Sequence, residues 1–559
     1  MSTESVALLL VLALGALLVS FTARARGRAT TLDFYLAGRR VGTLTNACAI
    51  CGDYFSAASF LGVAAAVYAS GLDGVWYATG FAAGFVPVLL FVAAPLRRFG
   101  RISLPDFLGQ RFGSERVRVV AVVVVQLVVL AYLVPQSVGS GITWELLVGH
   151  GVAGLSPYAT GVVVSAVLIA ALVVIGGMRG TTWNQALQFL LLLVVLFWLT
   201  AMVLGDGFSY PRAVEEAAAT PLEVPAPDGD GLTTVPDRLR PDRDADFAGP
   251  GARYGGLGQF ALLTTLMLGT AGLPHVMNRY FTSPTGRSTR FTTVWVLGLA
   301  GAFYAMAVLL GTAARVTIAA HAPTTPWLAE LTVDGVLQVP EHALLALGRL
   351  HAGVPGLGLV ATAAFAAMIS TVGGLLLAAA ASWGHDVYER YLNRRATQQQ
   401  AIRAGRVAVA VASVVAAGIA LLLEPAQLST DFPSVVALLV TWAFALAGSA
   451  LTPVLLLAIW WRGASAGGAI AGMVTGVATV LGLLAVGLAR GGGADDLGSL
   501  LLAPTLVAAP LATLVMVLRS RADEPPSTVT AIWLRMHGTA ADRQVEHFAR
   551  LAARQGRTR

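Results

Sequence analysis

Stretches of roughly twenty apolar residues recur about thirteen times along the 559-residue chain, and nothing else narrows its fold so sharply. Inside hydrocarbon a backbone must satisfy its own N–H and C=O groups, which leaves helices for runs of this length. The runs fall near 5–22, 44–70, 75–96, 118–147, 157–177, 183–205, 258–280, 291–318, 356–382, 405–424, 434–461, 465–487 and 498–518. The composition agrees: 56% of residues are hydrophobic and only 12% charged, against about one quarter charged in a soluble domain. The chain therefore reads as an all-α polytopic membrane protein in a lipid bilayer, and an odd number of crossings puts its termini on opposite sides.

Arginine orients the bundle. The sequence contains no lysine, and about 29 of its 37 positive charges fall in alternate loops and the C-terminal tail, including "RARGR", "RRFGR", "RSTR" and "YERYLNRR". Those loops are expected on the cytoplasmic side of a plasma or inner membrane, with the N-terminus outside and the C-terminus inside. Arg24, Arg26 and Arg28 follow the first apolar run instead of preceding it, so this run reads as a retained helix and not a signal peptide. The Pro/Gly/Asp-rich segment 206–257 reads as an extracellular loop whose "DGDG" resembles a calcium loop only superficially. The tail 519–559 is too short and polar for a catalytic domain and is expected to form a short cytoplasmic helix. No basic patch on a soluble domain is available for nucleic acid. Cys48 and Cys51 lie within one apolar segment and read as small hydrophobes, not a redox or metal motif.

Two helices are interrupted. The second carries Gly52, Asp53, Tyr54, Ser56 and Ser59 near its middle, and the seventh carries "LGTAGLPH" with Gly269, Gly272 and Pro274. Proline removes an amide donor and disturbs the preceding turn, and broken backbone is tolerated in a membrane only beside a cavity, an ion or other protein. Each interrupted helix is followed by four more spans, which gives five-helix units at 44–205 and 258–461 with 1–43 before them, 206–257 between, and two further helices at 462–518. An odd repeat length inverts the second unit, the arrangement in which transporters bind substrate and ion between two discontinuous helices. The alternative is that these glycines and serines only permit close packing. In the ninth helix, helical spacing sets the Ala367 carbonyl near the hydroxyls of Ser370 and Thr371, hard oxygens of the kind a sodium ion takes, although such hydroxyls also bond back to their own helix.

The chain resembles the sodium/solute symporter family, which includes sodium–proline, sodium–galactose and sodium–acetate carriers. The resemblance rests on "GDYFSAASFLG" (52–62), "GGMRGTTWNQALQ" (176–188), "GLPHVMNRYF" (272–281) and "AAMISTVGGLL" (366–376), and runs from "DFYLAGR" at 33–39 to the last helix. It implies a leucine-transporter-type bundle of about thirteen helices with inverted five-helix repeats. It also implies a sodium site made of the carbonyls of Gly52, Phe55 and Ala367 and the side chains of Ser370 and Thr371, with Gly52 letting the helix open. The half-helix that then begins at "SAAS" offers a positive dipole end and free amides near Ser56, Ala57 and Ala58, a seat for an anion. With "SGLDG" at 70–74, the motifs look most like the acetate and short-chain monocarboxylate branch. Tyr54, Ser56, Ala57, Ser59 and Trp76 are the expected substrate contacts; Tyr77 and Gln126 are weaker ones.

One departure bears on coupling. Many members of the family carry an acidic W-T-D after "GGM", whereas Trp183 here is followed by Asn184 and Gln185, which cannot supply that charge. Asp53 is then the titratable group that would allow proton coupling, since an aspartate in a membrane helix costs about 2.5–3.5 kcal/mol and usually has a reason; its alternative is a satisfied bond to a neighbouring helix. His275 and Arg279 sit near the cytoplasmic end of the seventh helix, where Arg279 is an interface anchor or part of a gate. The expected activity is inward sodium coupled to uptake of acetate, propionate or pyruvate, with no cofactor and no covalent chemistry. A symporter of another solute such as proline, a membrane sensor and a membrane-embedded enzyme remain the competing classes.

Orientation is open to a direct check. In a background with Cys48 and Cys51 replaced by alanine, Ser2→Cys should react with an impermeant thiol reagent from outside and Ser527→Cys only from inside. Labelling of both from one side would contradict the odd number of crossings.

Overall fold

The computed structural model describes residues 35–100, 102–219, 254–423, 434–490 and 496–538, with short pieces of the 222–251 region. The first expected helix at 5–22, most of the "DGDG" run and the tail beyond 538 lie outside the described residues. Among the described residues, nine helices are long and apolar enough to cross a membrane, or ten if the bent pair Gly256–Gly272 and Pro274–Tyr280 is one span. One expected gap between spans is present, at 71–74, and one expected span is divided, each for a local cause. The run Ala58–Phe99 turns back on itself at Gly71–Gly74, where Gly71 has φ 55°. A Cβ on Gly74 would lie 2.4 Å from the backbone of Ala66, whereas a continuous helix would carry it about 12 Å away. The last expected span is divided into Asp496–Leu502 and Thr505–Arg521 by Pro504, each piece shorter than the roughly twenty residues a crossing needs.

Burial sorts the helices into layers. The most apolar window of Pro340–Leu392 is 100% buried and that of Val435–Trp460 94%, whereas those of Gln398–Leu422 and Ala466–Ala489 are only 33% buried. The first pair forms the centre of the bundle, and the second presents apolar side chains such as Val411, Val414 and Leu481 outward, where lipid would meet them. Four short wide-turn segments, Ala58–Gly62, Val88–Val92, Ser382–Leu392 and Ala447–Leu451, interrupt the α-helical ladders, a feature often found at functional sites.

Both expected breaks are present. Helix Thr43–Tyr54 stops at Phe55, whose ψ of 85° leaves the helical region, and the chain becomes helical again at Ala57 before the wide turn. Gly256–Gly272 ends at Leu273, and Pro274–Tyr280 leaves at 47°. Gly52 does not open its helix as expected. It remains helical, three residues before the break, and its missing side chain permits close approach instead: a Cβ there would sit 2.3 Å from the Gln185 carbonyl oxygen.

The loop and the tail are tied to the bundle. Asp73 of "SGLDG" is buried and accepts from the amides of Gly251 and Tyr254 and from Gln259 Nε2 at 2.9, 2.9 and 3.0 Å, closing the far end of the 206–257 loop over the Gly71–Gly74 turn. The expected tail helix is Val529–His537, held where Arg98 donates to the Met536 carbonyl at 3.1 Å.

Candidate functional site

The break in Thr43–Tyr54 redirects its last amides. The Ser56 N–H, which would close a helical turn on Gly52, donates to the Tyr54 carbonyl at 2.9 Å. On one side of the break, Asp53 lies against Gly374, where a Cβ would come 1.7 Å from its Oδ1. On the other, Ala57 lies beside Gly139, which in turn approaches Met368. These contacts bracket Phe55 and Ser56 opposite the turn Ala367–Thr371 of the central helix Ala343–Ala381. Within that turn the Ser370 hydroxyl donates to the Ala367 carbonyl at 2.8 Å. The Thr371 hydroxyl is buried and has no partner among the described residues. Buried polar groups nearly always have one, so this oxygen is available to a cation.

Asp53 is bound to Arg279. The carboxylate Oδ2 stands 3.2 Å from Arg279 Nε with both side chains at most 1% exposed. Gln185 Nε2 donates to Asp53 Oδ1 at 3.1 Å and to the Ser370 carbonyl at 2.6 Å, while Gln185 Oε1 accepts from Arg279. Arg279 also donates to Thr182 Oγ1 at 2.6 Å. One network thus joins the first broken helix, the second half of the other broken helix, the "TTWNQ" helix and the central helix. Taking two ions out of water costs several kcal/mol each, which only good geometry and added hydrogen bonds offset. Here both are present. The sequence left Arg279 between anchor and gate; it is buried and ion-paired, so it is no interface anchor.

The expected anion seat is partly occupied. The Ala57 amide donates to Gln136 Oε1 at 3.0 Å, and the Ser56 amide is used as described above. Gln136 is fully buried, and its Nε2 has no partner among the described residues. Tyr132, one turn earlier on the same helix, faces the Ser56 hydroxyl and lies edge-on to His275 at 5.5 Å between ring centroids. Both ring nitrogens of His275 are buried and unpartnered among the described residues. Three donors that sequence reasoning passed over or weighed lightly, Gln136, Tyr132 and His275, therefore gather between the two breaks. A glutamine beside Pro135 in an otherwise apolar run is the signal that could have found the first.

Tyr54 and Ser59 face inward but are already engaged. Tyr54 Oη is 2.7 Å from Thr270 Oγ1 and donates to the Phe81 carbonyl at 3.0 Å, which links the two broken helices. Ser59 Oγ is 2.9 Å from Tyr304 Oη. Phe55 stacks on Phe303 at 4.1 Å, so its ring belongs to the core while its carbonyl belongs to the break. Trp76 is half-buried beyond the Gly71–Gly74 turn and packs against the main core. Tyr77 faces Tyr254, and Gln126 donates to the Ala379 carbonyl at 3.2 Å, a helix-packing contact. Cys48 and Cys51 are free thiols.

Removal of one partner leaves the other as an uncompensated buried charge, a loss of about 3–5 kcal/mol. Arg279→Ala should therefore lower the melting temperature of the purified protein far more than an exposed control such as Arg290→Ala. Asp53→Asn combined with Arg279→Gln should recover part of the loss. A melting shift of the pair equal to the sum of those of Asp53→Asn alone and Arg279→Gln alone would show that the ions do not interact.

The model of the sodium:solute symporter family matches residues 34–476. The chain is 31% identical over 540 residues to the monocarboxylic acid transporter of Corynebacterium glutamicum, covering 92% of this chain and 91% of that one. It is 32% identical over 474 residues to the uncharacterized symporter YwcA of Bacillus subtilis, covering 84% and 83%. Among solved structures, a substrate-bound outward-open Na+-coupled sialic acid symporter superposes with a TM-score of 0.68 at 17% identity, covering 94% of this chain and 99% of that one. The nucleobase–cation symport transporter MHP1 gives 0.53 at 15% identity, covering 90% and 98%. The fold is the leucine-transporter type, a fold of transporters. A multi-pass chain with two broken helices, matched over most of its length by that model and those relatives, belongs to the sodium:solute symporter family.

Proposed function

We propose that this protein is a secondary active symporter that couples inward sodium flux to uptake of a small monocarboxylate such as acetate, propionate or pyruvate. The observation that carries the reading is the unpartnered Thr371 hydroxyl on the turn opposite the Phe55–Ser56 break. In this reading sodium takes the carbonyls of Gly52, Phe55 and Ala367 with the hydroxyls of Ser370 and Thr371, and displaces the Ser370–Ala367 bond. Sodium is favoured over a proton because protonation of Asp53 would leave Arg279 charged and unpaired in a dry site. The units 44–205 and 258–461 would rock against one another, with the N-terminus outside.

The substrate carboxylate is assigned to the space between the breaks. The half-helix beginning at Ser56 and Ala57 points its positive end there, and Gln136 Nε2 and His275 supply buried donors that lack partners among the described residues. Tyr54 and Ser59 then close the aromatic wall around the short tail. Trp76 is kept as an outer contact. The name of the relative from Corynebacterium glutamicum supports the same substrate class.

Ser370→Ala and Thr371→Ala each delete a proposed sodium ligand, and both should raise the sodium concentration needed for half-maximal uptake in proteoliposomes without reducing insertion. Thr371→Ser keeps the oxygen and should be milder. Unchanged sodium dependence in both alanine variants would remove the ion site from this turn.

In competition against labelled acetate, a neutral analogue loses the charge-assisted contact. Acetamide should therefore compete at least about tenfold worse than acetate, a difference of roughly 1.4 kcal/mol. Propionate should compete well and glucose not at all. Inhibition by proline or a sugar, with none by two- or three-carbon acids, would assign another solute.

A further inference from the structure

The short helix Leu104–Arg111 meets the wide-turn segment Ser382–Leu392 at the end of the bundle that carries Arg97 and Arg98, and three side chains outside the transport site converge there. One ligand atom from each of Asp106, His385 and Asp386 lies within 4.8 Å of the other two. The three residues are 1%, 5% and 2% exposed. Their surroundings fix them. Ser103 caps the short helix by accepting from the Asp106 amide at 3.1 Å, and its hydroxyl donates to Asp386 Oδ2 at 2.5 Å. Gln110 Nε2 donates to Asp106 Oδ1 at 3.1 Å, and Arg118 stands 3.5 Å from the same oxygen.

His385 is oriented by Glu389, whose Oε2 is 2.9 Å from Nδ1 one helical turn on. A carboxylate accepts, so in neutral His385 the proton sits on Nδ1 and Nε2 presents a lone pair. That nitrogen is buried without a partner among the described residues, and so is Asp386 Oδ1. Two acceptors and a second carboxylate thus face one small volume. With His385 neutral, such a group of acceptors is repulsive until a proton or a metal ion enters it.

We propose that Asp106, His385 Nε2 and Asp386 bind a divalent transition-metal ion, a site separate from the proposed sodium ligands. The charges fit. Asp106, Asp386 and Glu389 are three carboxylates, and Arg118 beside Asp106 is also paired with Glu115 at 3.0 Å, so the cluster keeps negative charge for an ion to neutralise. The donor set fits as well: imidazole with carboxylates suits ions such as Zn²⁺ and Mn²⁺, whereas Mg²⁺ and Ca²⁺ prefer oxygen alone. Donation from Nδ1 to a carboxylate is the usual outer-shell arrangement of a metal-bound histidine, and it raises the basicity of the free nitrogen. Metal–ligand bonds of about 2.0–2.2 Å at a tetrahedral centre set the ligand atoms roughly 3.5 Å apart, so a pair near the 4.8 Å limit would close by about an ångström or more when the ion binds. The ion would fasten the short helix to the end of the central helix.

The test uses the full-length chain purified in detergent, stripped with EDTA and titrated with Mn²⁺ while the free ion is followed by electron paramagnetic resonance. One saturable Mn²⁺ per chain is expected, displaced by Zn²⁺. His385→Ala and Asp386→Asn should each weaken binding at least about tenfold, while His321→Ala, an exposed histidine elsewhere, should leave it unchanged. Metal should also raise the melting temperature of the wild-type protein and not that of His385→Ala. Wild-type protein that takes up neither ion stoichiometrically at millimolar metal would overturn the proposal, as would wild-type affinity in His385→Ala.

Discussion

The ion pair between Asp53 and Arg279 constrains more of this structure than any other contact. Its members belong to the two broken helices, 226 positions apart, and neither side chain is more than 1% exposed. Two ions in so dry a place hold together only with further hydrogen bonds, which Gln185 and Thr182 supply. That requirement propagates outward. Gln185 must stand close enough to reach both Asp53 and the Ser370 carbonyl, and Gly52 and Gly374 give up their side chains so that three helices can meet at that distance. The helices a symporter has to move are thus fastened at one end by charge and near their breaks by the Tyr54–Thr270 hydrogen bond.

Between those fastenings the molecule keeps polar atoms without partners. Gln136 Nε2, both nitrogens of His275 and the Thr371 hydroxyl are buried and unsatisfied among the described residues, each at a desolvation cost of about 1–3 kcal/mol. A fold selected only for stability would replace them with apolar groups of the same shape. Under the proposed function, an ion and a carboxylate held between the two helix breaks would complete that hydrogen bonding.

Much of this was legible in the sequence because the signals were local. Serine, glycine and proline inside apolar runs marked both breaks, and the "ISTVGG" run marked the central helix. The exact point of opening was not legible: Gly52 drew attention as the flexible residue, but its role is packing, and the helix opens three residues later at Phe55. Partners distant in sequence were also hidden. Nothing near Asp53 names Arg279, and nothing near Ala57 names Gln136, which occupies an amide that the sequence left free for substrate. The turn at Gly71–Gly74 was visible as a gap between spans, but not the part Asp73 plays in closing the loop over it.

The Asp53 carboxylate fills the volume that a side chain at position 374 would need. The two positions therefore form a single inheritable unit despite the long stretch of chain between them. An alanine at 374 would force the Asp53 carboxylate to shift from its place beside Arg279 and Gln185. A change at either position is therefore felt first in the buried ion pair, although the two lie far apart along the chain.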